Sequence, residues 1–505
     1  MREELRRSNR PGQEHWQVNK RPDSRPPWDL VIMGAPRASR YTHWPWDALD
    51  TLTCILMTPF QQLISLSLSC YCFTNFDKSS LSIVIVRYAV LGPILFLLTL
   101  CTAPFAAVGY IMWVLINLFT NIQPFYYVSP KNQNPRQESQ CPSRFTICSA
   151  NVILSPEIFV RINKNRNVYW RVFEVARRLL CQDPLLNQKQ NLQTPVNREA
   201  IVESKLPDVD VFILQEVFER VIGVTLIKQL KQKYPFIIYD VGRHCMETNY
   251  FCLGSGLFLA SRYPVLEACF HPFTYCTKFG KFLSYGMLLT KLDLGLLKKR
   301  NEELHAVGYV ANLHTQAYQG EDKVLVHQLE QTRLWMNTFI QTTHNTRTEI
   351  VVFAIIGGDF NCDNLSPGDV GTQNLPLWDE YEDPCRESAG NDKPWTIGTE
   401  LRQCLIHHSI AQNPESFRKI LLDDIQRRHY ILDADVKEQA PDLMWIAPKA
   451  DSSGRVRAVR EGGRRRIDYL IARHNDEATP SAFWFCSVMA GLSDHIPIAL
   501  MVERK

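Results

Sequence analysis

Gly357-Gly358-Asp359-Phe360-Asn361 follows an apolar run, Ile350 to Ile356, with the length and branching of a buried strand. Two glycines there let the chain leave the strand sharply and bring backbone close to a ligand. Asp359 and Asn361, two apart, point the same way if the strand runs on through them. One offers an anionic acceptor; the other offers an amide that donates and a carbonyl that accepts. Such a pair suits in-line attack on a phosphodiester, where charge is held and no covalent adduct is needed. It also suits an ordinary Asx-rich turn. Other residues at strand ends narrow the choice. Asn151 ends the run Phe145 to Ala150, Glu216 follows Val209 to Leu214, and His314 follows Ala306 to Asn312. A strand-end carboxylate is a natural ligand for a hard cation. Asp468 lies in Arg466-Ile467-Asp468-Tyr469, and Asp494-His495 precedes the last strand. A carboxylate beside a histidine fixes the imidazole tautomer and frees the other nitrogen to take a proton from water.

The elements that must position these groups alternate along the chain from Phe145 onward. Strands are expected at 145–150, 209–214, 236–239, 256–260, 287–291, 306–312, 350–356, 466–471, 483–490 and 496–502. Helices are expected at 168–180, 221–230 and 326–342, and a surface loop at 182–203. Many strands with few helices between them predict a two-sheet α/β sandwich rather than a doubly wound sheet.

The N-terminal third differs. Residues 1–43 are polar and mildly basic and read as a disordered tail. Residues 44–128 hold two apolar segments. The first has no charge between Asp50 and Asp77; the second has none between Arg87 and Lys131. Each is long enough for a bilayer, which takes about 20 apolar residues as helix. Pro59, Gln61 and Gln62 interrupt the first, and Pro93 and Pro104 are expected to cut the second. A two-span hairpin and a pair of re-entrant helices both satisfy this pattern. Both leave the N-terminus and the downstream domain on one side, and flanking Lys131, Arg136 and Arg144 make that side cytosolic. Residues 129–143 are a polar linker, and 144–505 form the catalytic domain.

The net charge of +4 gives no nucleic-acid footprint. Fifteen cysteines show neither a CxxC pair nor a zinc-type Cys/His cluster, as expected of reduced thiols facing the cytosol. Cys54, Cys70, Cys72 and Cys101 sit in apolar surroundings, where S-acylation is chemically accessible. Nothing in the sequence reports the oligomeric state.

The order Asn, Gln-Glu, strand-end His, Gly-Asp-Phe-Asn, Ile-Asp-Tyr, Ser-Asp-His resembles the endonuclease/exonuclease/phosphatase superfamily, the DNase I-like fold. The chain resembles still more closely the membrane-attached neutral sphingomyelinases. The residues that carry this are Leu214-Gln215-Glu216-Val217-Phe218, Ser255-Gly256-Leu257, Ala260-Ser261-Arg262-Tyr263-Pro264, Gly358-Asp359-Phe360-Asn361, Lys393-Pro394-Trp395-Thr396-Ile397-Gly398-Thr399, Arg465-Arg466-Ile467-Asp468-Tyr469 and Ser493-Asp494-His495. The paired apolar segments ending near Pro124-Phe125-Tyr126-Tyr127 match as well. The resemblance implies a DNase I-like two-sheet sandwich with an N-terminal membrane hairpin. It implies Mg²⁺ held by Glu216 with help from Asn151. It implies that Asp359 and Asn361 position water and phosphate, and that His495 is the base, oriented by Asp468. Asp494 would lie near the metal and His314 would stabilise developing charge. The implied substrate is sphingomyelin in a bilayer, cleaved to ceramide and phosphocholine, with activation by anionic phospholipids. Alternatives are a phospholipase C on lysophospholipids or other choline lipids, and a membrane scaffold with weakened catalysis. Two departures from the family pattern stand out. Leu313 replaces the usual threonine before the strand-end histidine. Tyr285 replaces a lysine, with Lys278 and Lys281 the nearby cations.

Overall fold

The computed structural model describes residues 35–120, 123–130, 138–188, 201–244, 253–299, 302–317, 323–434 and 446–504. Met33–Lys505 forms one compact unit; a second, Met1–Ile32, lies outside the described residues. The strands in chain order are β1 Tyr126–Val128, β2 Arg144–Asn151, β3 Val202–Glu203, β4 Val211–Gln215, β5 Phe236–Tyr239, β6 Phe258–Ser261, β7 Val265–Pro272, β8 Gly286–Lys299, β9 Glu302–His314, β10 Glu349–Asp359, β11 Tyr381–Glu382, β12 Arg386–Ser388, β13 Asn391–Asp392, β14 Asp468–Arg473, β15 Ala478–Cys486 and β16 Ile498–Arg504. Eight of them form one sheet in the order β1-β5-β6-β4-β2-β16-β15-β3. Six form another, β11-β14-β10-β9-β8-β7. This is the two-sheet α/β sandwich expected from the sequence.

Strand alternation builds two cores from one sheet. Phe145 and Ile147 of β2, Val211 and Ile213 of β4, and Ile498 and Leu500 of β16 face the second sheet. There they meet Phe353 and Ile355 of β10, Val310 of β9 and Leu470 of β14. The intervening residues Cys148, Ala150, Phe212, Leu214, Ala499 and Met501 face outward. The amphipathic helices Val168–Leu180 and Arg220–Leu230 cover them, with Val172, Val175, Leu179, Leu226 and Leu230 buried. Helix Val324–Thr343 covers the outer face of the six-stranded sheet. There Trp335 stacks on His271 and Phe339 meets Tyr309 edge-on. At the centre the sheets approach too closely for a side chain at Gly357. A Cβ there would lie 2.5 Å from Leu470 and 2.7 Å from Ile213.

Several expected boundaries shift. Strands β8 and β9 run longer than predicted, pairing from Gly286/His314 to Lys299/Glu302. The predicted strand 483–490 ends at Cys486, and a single 3₁₀ turn Ser487–Met489 follows. The 182–203 loop contains a 3₁₀ turn at Pro184–Gln188 and the short β3; residues 189–200 lie outside the description. Strand β7 carries no clear sequence alternation, because its Glu267 and His271 sit beside partners that cover them.

The apolar segments form two long helices. Trp44–Ser69 continues straight through Pro59. Gly92–Phe119 contains Pro104 and is preceded by a π-helical turn at Val86–Leu91. Pro59 and Pro104 therefore do not cut the helices as predicted, whereas Pro93 sits in the first turn of the second helix, directly after the π-helical turn. Both are long and apolar enough to cross a membrane. Between them lie small groups: a Cβ at Gly109 would meet Met57 at 2.8 Å and Leu56 at 3.0 Å. The large apolar side chains, among them Phe96, Leu97, Phe105, Ile111 and Leu118, point outward. Apolar outside and small inside is the pattern of helices packed in lipid.

The first helix is held along the catalytic domain over its length. Tyr126 Oη donates to Asp50 at 2.7 Å, and Arg220 Nη1 donates to Cys54 Sγ at 3.0 Å. Ile158 N donates to Ser65 Oγ at 3.1 Å. Thr58, Gln61 and Gln62 border Phe218, Glu219 and Arg220. These positions recur every three or four residues and form one polar face of the helix. Of the N-terminal tail, Arg40 is buried and pairs with Asp240 at 2.9 Å.

Glu219, at this contact, is buried with Oε2 lacking a hydrogen-bond partner. Burial pushes its carboxyl up to about 7, against the hydroxyl of Tyr169, which favours the anion. A pKa raised on folding means that the folded chain binds more protons than the unfolded one between about pH 4.3 and 7. Stability is therefore lost as pH rises through that window. Glu219→Gln should flatten the fall in melting temperature between pH 5 and 8. It should stabilise the protein above pH 7, by on the order of 2 kcal/mol. Melting curves in detergent at both pH values read this directly.

Candidate active site

Alternation along the strands places the chemistry. Asn151, Gln215, Asn312, His314, Asp359 and Asp468 all continue the inward-facing series of their strands. They sit where those strands end, so all of them reach the same end of the sandwich. The registers bring them level: Asn151 opposite Gln215, Asp359 opposite His314 on one side and Asp468 on the other.

Asn151 is the hub. Its Nδ2 donates to Glu216 Oε1 at 3.1 Å and to Asp359 Oδ2 at 3.0 Å, and lies 3.5 Å from His495 Nε2. Its Oδ1 accepts from Ile153 N at 3.2 Å. The amide nitrogen, rather than the oxygen, thus faces Glu216. His495 Nδ1 lies 3.0 Å from Asp468 Oδ2, which leaves Nε2 free to face the site. Nε2 is 3.8 Å from both Asp359 Oδ2 and Asp494 Oδ1. His314 Nε2 is 3.5 Å from Asp359 Oδ2. All eight residues singled out from the sequence therefore lie at this end of the molecule.

Local backbone explains how they arrive. Glu216 has φ 65°, stepping out of β4 in a left-handed turn. Gly256 makes room: a Cβ there would lie 3.0 Å from the Glu216 backbone. Gly358 has φ 140°, and a Cβ on it would lie 1.9 Å from Leu313 O. The expectation that Asp359 and Asn361 share a strand face is corrected, because β10 ends at Asp359. Asn361 reaches the site through a left-handed turn, φ 48°. Its amide donates to Thr315 O at 2.9 Å, and its backbone N–H donates to Asp359 Oδ1 at 3.0 Å.

The electrostatics are those of a site built for a cation. Burial raises the carboxyl pKa of Asp359 despite the neighbouring His495 and His314. Burial likewise pushes Asp494 up to about 7, with His495 opposing. Asp494 Oδ1 is buried without a hydrogen-bond partner. Burial also pushes His314 down to about 4, leaving it neutral and a hydrogen-bond donor. At His495 burial works against the imidazolium, yet Asp468 and Asp359 outweigh it and hold the pKa well above the usual value. Asp359, Asp468 and His495 can each offer one ligand atom within 4.8 Å of the others. The crowding of these carboxylates, with Asp494 Oδ1 left unpaired, fits a divalent hard cation, which would relieve their repulsion. Glu216 complements them from across Asn151.

Sequence reasoning missed the supporting residues. Gln215 Nε2 donates to Asn312 Oδ1 at 2.8 Å, stitching the two sheets beneath the site. Ser155 Oγ donates to Glu216 Oε2 at 2.7 Å. Thr399 Oγ1 accepts from the backbone N–H groups of Ile467 and Asp468. Gln403 Nε2 donates to Asp494 Oδ2 at 2.9 Å. Buried Arg171 donates to the carbonyls of Val152, Ile153 and Leu492, tying the Asn151 loop to the His495 loop. An arginine on the buried face of an amphipathic helix was the one available signal. The two departures also resolve. Leu313 alternates with Asn312 and His314, so its side chain points away from the site, as a threonine's would. Tyr285 packs edge-on to His314 with ring centroids 4.9 Å apart. Lys281 is exposed, and the side chain of Lys278 lies outside the description.

The chain has close counterparts among known proteins, although no protein-family model matches it. It is 28% identical over 498 residues to sphingomyelin phosphodiesterase 5 of Danio rerio, covering 82% of this chain and 88% of that protein. Sphingomyelin phosphodiesterase 5 of Mus musculus is 27% identical over 94% of this chain and 96% of its own length. Sphingomyelin phosphodiesterase 3 of Mus musculus is 34% identical over 306 residues, spanning 58% of this chain and 44% of that relative. Among solved structures, sphingomyelinase C from Streptomyces griseocarneus aligns over 72% of this chain and 100% of its own at 15% identity, TM-score 0.39. The resemblance read from the sequence motifs is thus borne out: the curated relatives are sphingomyelin phosphodiesterases.

A divalent cation seated on these carboxylates should stabilise the fold by mass action. Titration with Mg²⁺ or Mn²⁺ is expected to raise the melting temperature of the wild type by several degrees, and that of Glu216→Gln by much less. An equal rise in both would place the cation elsewhere.

Proposed function

We propose that the chain is a phosphoric diester hydrolase, a Mg²⁺-dependent sphingomyelin phosphodiesterase that works on a membrane surface. The observation that carries the reading is the convergence of Glu216, Asp359 and the Asp468–His495 pair on Asn151. The whole-length likeness to sphingomyelin phosphodiesterases supports the substrate.

The substrate phosphate sits over Asn151, between Glu216 and His495. Asp468 orients His495 through Nδ1, and a cation seated beside Asp359 would offset the negative charge that holds the imidazolium, freeing Nε2 to take a proton from the attacking water. The water oxygen forms a bond to phosphorus, and the P–O bond to the ceramide oxygen breaks with its electron pair staying on that oxygen. That oxygen then takes up a proton, giving ceramide and phosphocholine. Asp359 and Asn361 hold the water and phosphate, with Asp494 close to the metal. His314, neutral, donates a hydrogen bond to the phosphoryl oxygens as charge grows. Mg²⁺, held by Glu216 and positioned with the help of Asn151, would polarise the phosphoryl group and ease departure of the alkoxide.

The hairpin supplies the membrane. Its first helix lies lengthwise against the catalytic domain, with contacts from Asp50 to Ser65. This favours the re-entrant reading over two spans and keeps the domain on the cytosolic side. A tethered enzyme meets a bilayer-confined substrate at high effective concentration. Anionic phospholipids are the expected activators, through basic groups at the membrane face.

Phosphocholine release from sphingomyelin in mixed micelles should need Mg²⁺ and vanish with EDTA. His495→Ala should lower kcat by about 10³-fold or more, and Asp468→Asn by about 10²-fold, with both variants still folded by circular dichroism. Near-wild-type turnover by folded His495→Ala would remove the base assignment. Release unaffected by EDTA would remove the metal.

A further inference from the structure

A pocket opens beside Glu216, and His495 does not line it. Its walls are Phe159, Ile162, Phe218, Leu253, Leu283 and Tyr285, with Glu216 the one carboxylate among the groups that line it. Asn151 lies between the two, 3.1 Å from Glu216 and 3.5 Å from His495. Attack on a phosphodiester is in line, with the entering and leaving oxygens on opposite faces of phosphorus. With the phosphate seated over Asn151 as proposed above, between Glu216 and His495, water delivered from His495 expels the leaving oxygen toward Glu216, where this pocket opens. Most of its wall is apolar or aromatic, with Ser155 and Asn163 as further polar members, and it adjoins the membrane hairpin. Phe218 borders Gln61 and Gln62 of the first helix. Ile158, next to Phe159, donates its backbone N–H to Ser65 of the same helix. Ile162 stands 45% exposed at the rim.

We propose that this pocket receives the departing alcohol of the lipid, the ceramide half, and thereby selects which P–O bond faces the water. The head group then lies elsewhere, toward the His495 side. This rests on the phosphodiesterase reading above and deepens it. Phe159, Ile162 and Phe218 are specificity-determining residues: they touch the first carbons of the ceramide as it leaves the bilayer. Losing the packing of two carbons there changes kcat/KM about tenfold.

The test varies each half of the substrate separately. Phe159→Ala and Ile162→Ser are compared with wild type on three lipids in mixed micelles with Mg²⁺. Sphingomyelin and ceramide phosphoethanolamine share the leaving alcohol and differ in head group. Sphingomyelin and lysophosphatidylcholine share the head group and differ in leaving alcohol. The expected result is a change of about tenfold or more in the kcat/KM ratio of sphingomyelin to lysophosphatidylcholine. The ratio of sphingomyelin to ceramide phosphoethanolamine should hold within about twofold. A shift in the head-group ratio would mean the pocket holds choline and would overturn the proposal, as would two unmoved ratios. Ile162 sits at the exposed rim, so that variant keeps the test open if Phe159→Ala fails to fold. A wild type inactive on all three lipids would sink the phosphodiesterase reading instead.

Discussion

The amide of Asn151 joins the two sheets at the one place where both must end together. Its nitrogen donates to Glu216, beyond the end of β4, and to Asp359, at the end of β10. Those strands belong to different sheets, and their registers are set independently. Two buried carboxylates brought this close repel, and a donor between them offsets part of that cost. Gln215 and Asn312 repeat the device one layer deeper. The distance from His495 to Glu216 is thus set by sheet-to-sheet packing, which is why Gly357 leaves no room for a side chain.

Around this joint the chain spends buried polar groups unevenly. The His495 loop is held from three sides: Ser493 Oγ donates to Asn151 O, Gln403 donates to Asp494, and Arg171 binds Leu492 O. Behind Asp468, buried Arg465 pairs with Glu400 at 2.7 Å, and buried Arg466 pairs with Asp383 at 2.7 Å. Such pairs add little net stability but fix geometry, because breaking one strands a charge. The catalytic groups are held by short contacts, whereas the pocket beside Glu216 is lined by apolar side chains. That division suits the proposed hydrolysis, in which charge movement is guided while the lipid product leaves.

The hairpin extends the same logic to the bilayer. Its polar face, from Asp50 through Cys54, Gln61 and Ser65, is spent on the catalytic domain, and its apolar side chains face outward. A helix docked along a folded domain gains hydrogen bonds on one side and lipid contact on the other. Gln61 and Gln62, which look like flaws in a membrane span, are the contact surface toward Phe218 and Glu219.

The sequence by itself determined the residue types at the strand ends, the sandwich class and the presence of two apolar segments. Those signals are local: alternation, a Gly-Gly step, and an ordered set of short motifs. It could not show that Asn361 enters through a left-handed turn, since a two-residue spacing looks alike on a strand and past its end. Nor could it show that Leu313 faces away, because side-chain direction depends on where the strand stops. Pro59 and Pro104 read as breaks, yet the helices continue through them, since packing between the two helices compensates for one lost backbone bond each. Only the tertiary structure decided that Ser155, Thr399, Gln403 and Arg171 serve the site. Apart from the buried-face position of Arg171 and the motif that ends at Thr399, nothing along the chain marks their part, and each gains it from partners brought close in space by the packing of the two sheets.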